Sequence, residues 1–319
     1  MTVQQPTATR SLRQREENRA GLRLVGPSVV IVLALVVAPI LWTVMLAFQD
    51  IELIRIRYTG FFGSYTLENF ADVLTSSDMW SSLATTVAYS VLGTGGALTV
   101  GLVAALALRR PFRGRTLVRA SILLPFVAPI VAVTFAWRSM LNPEYGVLNE
   151  WGTRWLGWDE PIPFLSQRSQ EINLFGAHVD IPLALGTVIL FEAWRTFPFA
   201  FLFITARLEA LPGDVEEAAR VDGASPLQTF RHIVLPQLMS TIAVLTVLRF
   251  IWTFNNFDDV YLLTHGLAGT EVVSVRVFNL LIGRGDIGAA SAQALVLAAI
   301  LTICVLAYGR LLHKTEATP

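Results

Sequence analysis

Glu192 and Arg195 interrupt an otherwise apolar run, LALGTVILFEAWRTFPFAFLF over residues 183–203. A charged side chain at the centre of a membrane helix costs roughly 2.5–3.5 kcal/mol unless it meets a partner or a hydrated cavity. At positions i and i+3, with the acid N-terminal to the base, the two share one helix face. They can therefore pair with each other and fix packing, or point together into a polar pathway. Trp194, Phe197 and Phe199 surround them, and Pro198 is expected to break the backbone ladder. A second constellation, Arg249, Trp252, Thr253, Phe254, Asn255, Asn256, Phe257, Asp258 and Asp259, closes another apolar run. Buried amides need partners, because an unsatisfied polar group in hydrocarbon costs several kcal/mol. A cavity or a neighbouring helix would supply them, whereas Asp258 and Asp259 are expected at the surface. Aromatic faces with a few polar groups suit a sugar, and they suit plain helix packing equally well.

Other chemistries find no support. The 24 basic residues include one lysine, Lys314, and it follows His313, so no GxxxxGK[ST] phosphate loop exists. The chain has no ATPase site of that kind. One cysteine, Cys304, allows no intramolecular disulfide and no CxxC site. Four scattered histidines form no HExxH, and no G-x-S-x-G elbow is present. These absences point to a non-enzymatic chain without a metal or cofactor of its own.

The elements that must position the two constellations are membrane spans. The chain is 54% hydrophobic and 15% charged, with a mean hydropathy of +0.57, too apolar for a soluble domain of 319 residues. Apolar stretches long enough to cross a ~30 Å core fall at 24–48, 82–108, 118–140, 183–206, 233–257 and 287–309. The expected fold is all-α, a polytopic membrane protein with six transmembrane helices, whose first span reads as a retained anchor. With both termini on the cytoplasmic side, the inner segments carry fifteen Lys/Arg and the outer segments six. That is the positive-inside bias. It divides the chain into a cytoplasmic tail (1–23), a six-helix transmembrane region (24–311) and a second cytoplasmic tail (312–319). An extracytoplasmic loop then spans 139–182, and a cytoplasmic loop spans 211–236.

That cytoplasmic loop, LPGDVEEAARVDGASPLQTFRHIVLP, is a folded knob between two spans. Asp214 with Glu217, and Ser225 with Gln228, have the spacing of two capping boxes, so two short helices are expected. Gly223 ends the first and Pro226 opens the second. Among the outer segments, residues 60–81 have helical apolar spacing behind Thr66 as an N-cap and predict an amphipathic surface helix, and 139–182 predicts a compact cap. Gly93, Gly95, Gly96 and Gly101 in the second span read as close-packing positions.

The knob resembles the coupling loop of ABC importer permeases, with Glu217-Ala218-Ala219, then Gly223, then Ile233-Val234-Leu235-Pro236. Asp222-Gly223-Ala224 and Phe230 make it similar to the carbohydrate-uptake branch, which includes maltose and glycerol-phosphate permeases. TLENF (66–70), GVLN (146–149), LEALP (208–212) and NNFDDVYLLT (255–264) extend the resemblance over most of 24–311. One departure is Thr264-His265-Gly266-Leu267-Ala268-Gly269, where relatives continue Thr-x-Gly-Gly-Pro. The resemblance implies the ABC importer permease fold, a homologous second permease as heterodimer partner, and two cytoplasmic ATPase subunits that bind ATP and Mg. It also implies an extracytoplasmic sugar-binding protein or lipoprotein. Glu217, Ala218, Ala219, Asp222 and Gly223 would shape the ATPase-docking helix. Sugar contacts carried over from the maltose type, joined by the neighbouring polar residues Arg195 and Asn255, fall at Glu192, Arg195, Thr196, Phe199, Trp252, Thr253, Asn255 and Asn256. Glu192 and Thr196 depart from the amide and glycine of the maltose case, which argues against maltose itself, while the match in the coupling loop and the arginine bias imply a disaccharide such as trehalose. The alternatives are another sugar, glycerol-phosphate, or an ion-coupled secondary carrier.

Overall fold

A computed structural model describes residues 23–55, 65–174 and 177–316, with side chains omitted at 55, 172–179 and 311–316. The tail before residue 23 and the start of the expected 60–81 helix lie outside the described residues. Among the described residues, five helices are long and apolar enough to cross a membrane: α1 (Arg23–Ala47), α3 (Ser77–Ala107), α7 (Leu183–Glu209), α9 (Pro226–Phe254) and α12 (Ile287–Glu316). A sixth crossing requires α4 (Arg115–Val127) and α5 (Ile130–Met140) together. The remaining helices are α2 (Glu68–Thr75), α6 (Val147–Trp155), α8 (Gly213–Val221), α10 (Asp258–Thr264) and α11 (Val273–Gly283).

The expected span at 118–140 is not one helix. Its halves meet at 96°. Pro129 has no N–H to continue the ladder and forces Ala128 into an extended conformation (φ −65°, ψ 143°). Pro198 behaves differently, since α7 runs through it without ending. The 139–182 loop holds α6 and an antiparallel hairpin, β1 (Gln170–Leu174) with β2 (Ala177–Ile181), the one sheet among the described residues in an otherwise helical fold.

The chain forms two compact units. One comprises residues up to Val73 together with Leu280–Leu295. In it Asn69, on α2, donates from Nδ2 to the Ala47 and Gln49 carbonyls at 3.0 and 2.9 Å, and Leu53 N–H bonds Gly285 O at 2.6 Å. The two Asn69 bonds satisfy carbonyls at and just beyond the end of α1. Thr66 accepts from Glu68 N–H at 3.0 Å, so it caps α2 as expected, although that helix stops at Thr75 and Ser76 starts α3 anew.

The other unit, Leu74–Asn279 with the chain from Val296, holds the site. Its frame is α3 packed on α7. The buried stripe of α3, Ser82, Thr86, Ser90, Gly93, Ala97, Gly101 and Ala105, recurs every three to four residues and is made of small side chains. Backbones can then approach closely, as membrane helices require where lipid is as apolar as the interface. A Cβ on Gly101 would lie 2.6 Å from Ala200 Cβ, and one on Gly96 would lie 3.0 Å from Ala193 Cβ. Gly95 departs from the expectation, because it faces away with nothing within 4 Å.

Candidate functional site

α7 and α9 carry the two constellations, and the structure brings them together. Glu192 is fully buried on α7. Its Oε1 accepts from Arg249 Nη2 and from Thr253 Oγ1 (3.0 Å), both on α9. Its Oε2 lies 3.4 Å from Arg195 Nη2. The same Arg195 nitrogen donates to Asp259 Oδ2 at 3.0 Å, so one guanidinium bridges two carboxylates. Asp259 Oδ2 also accepts from Asn256 Nδ2 at 3.0 Å and from Tyr89 OH at 3.3 Å. Two acids thus meet two bases, and Tyr89 ties α3 to the cluster.

This corrects the expectation for Asp259, which is fully buried rather than at the surface. The span ends at Phe254, and the chain folds back into α10, which carries Asp259 under Arg195. Asn256 Oδ1 accepts from Asp259 N–H at 3.1 Å, so both ends of its amide are engaged by Asp259 in the first turn of α10. Buried charges survive only when paired and hydrogen-bonded, and here each charged group has an opposite charge within reach.

The expected sugar-contact residues therefore divide into two layers. Glu192, Thr196 and Thr253 are sealed, with Thr196 Oγ1 donating to Glu192 O at 2.7 Å. Phe199, Trp252, Asn255 and the edge of Arg195 form the open layer. The rings of Phe199 and Trp252 meet edge-to-face at 5.2 Å, and Phe203 and Phe126 continue the aromatic surface at 4.7 and 6.0 Å from Phe199. Trp252 is 49% exposed. The Arg249 guanidinium lies 5.9 Å from its ring centroid, a cation on the sealed side of the platform. Trp194 instead packs inward, 5.3 Å from Trp137.

The 211–236 segment holds α8 and the start of α9, so the second expected short helix is instead the first turn of a span, and one cap differs. Ser225 and Gln228 form both bonds of a capping box, and Gly223 adopts φ +82°. Asp214 does not cap. Pro212 occupies the N-cap position of α8, so Asp214 sits inside the first turn, where its charge opposes the helix dipole. Glu217, Ala218, Asp222 and Gly223 are exposed, Ala219 is half-buried, and Val221 and Leu227 are 87% and 72% exposed beside them. A groove of about 640 Å³ lies behind the segment, lined by Arg109, Arg110, Glu216, Arg220, Thr229 and Phe230 among others. Tyr89 and Glu216 escape sequence reasoning, which notices Asp259 but places it at the surface. Asp259 and Tyr89 owe their roles to partners 64 and 170 positions away, and only an acid directly after a span hinted at the first.

Residues 97–316 match the family described as binding-protein-dependent transport system inner membrane component. The chain is 31% identical to the Escherichia coli inner membrane ABC transporter permease protein YcjO, over 92% of this chain and 94% of that one. It is 31% identical to the trehalose/maltose transport system permease protein MalF of Thermococcus litoralis, over 95% and 97%. It is 30% identical to the trehalose transport system permease protein SugA of Mycobacterium tuberculosis, over 93% and 91%. Its fold matches a chain of a bacterial ABC transporter involved in import of the acidic polysaccharide alginate, with a TM-score of 0.80 at 20% identity, covering 97% of this chain and all of the other.

Proposed function

Because this chain belongs to the family of binding-protein-dependent transport system inner membrane components, we propose that it is a permease subunit of an ATP-driven sugar importer in the inner membrane. The observation that carries the sugar reading is the half-exposed Phe199–Trp252 pair, presented by the two helices that flank the 211–236 loop and backed by the Glu192–Arg249 pair. Sugar rings stack on such faces while hydroxyls take hydrogen bonds from Asn255 and the Arg195 edge. Glu192, Thr196, Thr253 and Asn256 position this surface. Relatives named for trehalose and maltose support a disaccharide such as trehalose as cargo.

The arginine distribution supports cytoplasmic termini and a cytoplasmic 211–236 loop. That loop then serves as the coupling segment, with Glu217, Ala218, Ala219, Asp222 and Gly223 shaping the surface against an ATPase subunit. ATP and Mg bind that separate subunit, a homologous second permease completes the pathway, and a sugar-binding protein delivers the cargo. Such a binding-protein arrangement occurs in the alginate transporter solved with its alginate-bound periplasmic protein. In proteoliposomes, the purified chain alone is expected to take up no labelled trehalose under an ion gradient, and uptake appears when the partner permease, ATPase subunits, binding protein and ATP are added. Gradient-driven uptake by the isolated chain would overturn the proposal in favour of a secondary carrier.

A further inference from the structure

The coupling reading leaves unexplained how movement of the 211–236 loop reaches the charge cluster, which lies far along the helices. Glu216 and Glu217 are neighbours in sequence but about 100° apart on the helix, and they face different ways. Glu217 is exposed. Glu216 is turned inward and grips Arg109 with both oxygens, at 2.6 Å (Nη2 to Oε1) and 2.8 Å (Nη1 to Oε2). The two side chains are 14% and 32% exposed. Bidentate guanidinium–carboxylate pairs fix orientation as well as distance, unlike an exposed single-contact ion pair. Arg220 Nε adds a bond to the Glu216 carbonyl at 3.3 Å, bracing the same turn.

Arg109 stands immediately after Leu108, the residue that closes α3. Force applied to its guanidinium therefore acts on the end of a helix of 31 residues with one charged residue, Asp78, in its length. Along α3 the next points of purchase are Gly101, where a Cβ would come within 2.9 Å of Phe201 N, and Gly93, where one would come 3.1 Å from Glu192 Cγ. Tyr89 then donates to Asp259. From Arg109 to Tyr89 is about 30 Å at 1.5 Å per residue. A second tie holds the same end of α3: Leu108 O accepts from Arg115 Nε at 2.8 Å, and Arg115 and Arg119 pair with Glu209 at the end of α7.

We propose that the Arg109–Glu216 pair is a positioning strut that couples the 211–236 loop to α3, so that α3 carries ATPase-driven movement to the Glu192–Asp259 cluster. This rests on the reading of the loop as the ATPase-docking segment. Glu217 and Val221 are left outward for the ATPase, and Glu216 is the inward connection.

The test uses the assembled importer in proteoliposomes, reading ATP hydrolysis, uptake of labelled trehalose and capture of the ATPase subunits. Glu216→Ala and Arg109→Ala are expected to capture the ATPase as wild type and to hydrolyse ATP, while uptake per ATP falls about tenfold, the equivalent of one charge-assisted bond pair. Arg109→Lys keeps the charge without the fork and should give an intermediate ratio. The exchanged pair Arg109→Glu with Glu216→Arg should recover most of the ratio, which a merely structural role would not require. A wild-type ratio in the single variants, loss of ATPase capture in them, or no recovery in the exchanged pair would overturn the strut. Val221→Asp separates the underlying reading: it should abolish ATPase capture, and unchanged capture there would refute the docking surface whatever the strut variants do.

Discussion

Replacing Glu192 by Ala removes the acceptor on which two helices converge. Arg249 loses its carboxylate, and its side chain is 5% exposed, so water cannot substitute and no discount for solvent screening applies. Arg195 is less affected, because Asp259 remains 3.0 Å from its Nη2. The loss is therefore that of one stranded buried cation, about 3–5 kcal/mol. Arg249→Met should cost a similar amount by stranding Glu192, softened by the remaining 3.4 Å contact to Arg195. Replacing both at once, as Glu192→Leu with Arg249→Met, removes acid and base together and should lie within ~1 kcal/mol of wild type, giving a coupling energy of roughly 5 kcal/mol or more. Unfolding of the purified protein in mixed detergent–SDS micelles measures all three variants against wild type. Uptake by the reconstituted importer then asks a second question. If Glu192 positions the platform, the double variant regains part of the uptake lost in the singles. Single variants within ~1 kcal/mol of wild type, or costs that simply add, would refute the claim that this pair holds α7 to α9.

Three further outcomes follow from local geometry. Gly101→Ala drives a methyl within 2.6 Å of Ala200 Cβ and should destabilise the α3–α7 contact by about 1–3 kcal/mol, whereas Gly95→Ala, with nothing within 4 Å, should gain about 0.5–1 kcal/mol; the same micelle unfolding compares them. Gly223→Pro replaces a residue at φ +82° with one fixed near −65° and breaks the Gly223 N–H bond to Arg220 O, so the chain should insert while ATP hydrolysis becomes uncoupled from uptake; normal uptake would contradict this. Trp252→Ala removes the more exposed ring of the platform and should lower sugar uptake about tenfold with the complex still assembled, as read by uptake and co-purification.

The spans were legible because a bilayer imposes a length and a polarity that a few residues cannot override. Observed α1, α3, α7, α9 and α12 fall on the apolar stretches, and Ser225 and Gly223 act as their types require. What local pattern missed is what long-range packing decides. Hydropathy treated 118–140 as continuous, although two backbone constraints at Ala128–Pro129 turn it by 96°. Asp259 looked like a surface residue because its neighbours are polar, and only the fold-back of α10 places it under Arg195. Asn256 has the right type for a hydroxyl partner, yet its amide is engaged within three residues. Four glycines in one span read alike until α7 is present to show which of them face it.

The division of labour among helices follows from these placements. α7 and α9 can hold charge at membrane depth because each supplies the other's counter-ion, which leaves their aromatic side chains free to form an open surface. α3 has no charge between Asp78 and Arg109, and apart from Met79 and Tyr89 its buried face is small side chains. Such a helix offers little to recognise, but where Gly93, Gly96 and Gly101 face α7 its backbone lies close, with little side chain to absorb a displacement. A shift at Arg109 would then pass Gly101, packed on Ala200, to the far contacts, Gly93 against Glu192 and Tyr89 against Asp259. Those contacts bear on the two carboxylates that hold Arg195 and Arg249 in place. The helix with the least chemistry in its sequence is therefore the one best built to connect the loop to the site.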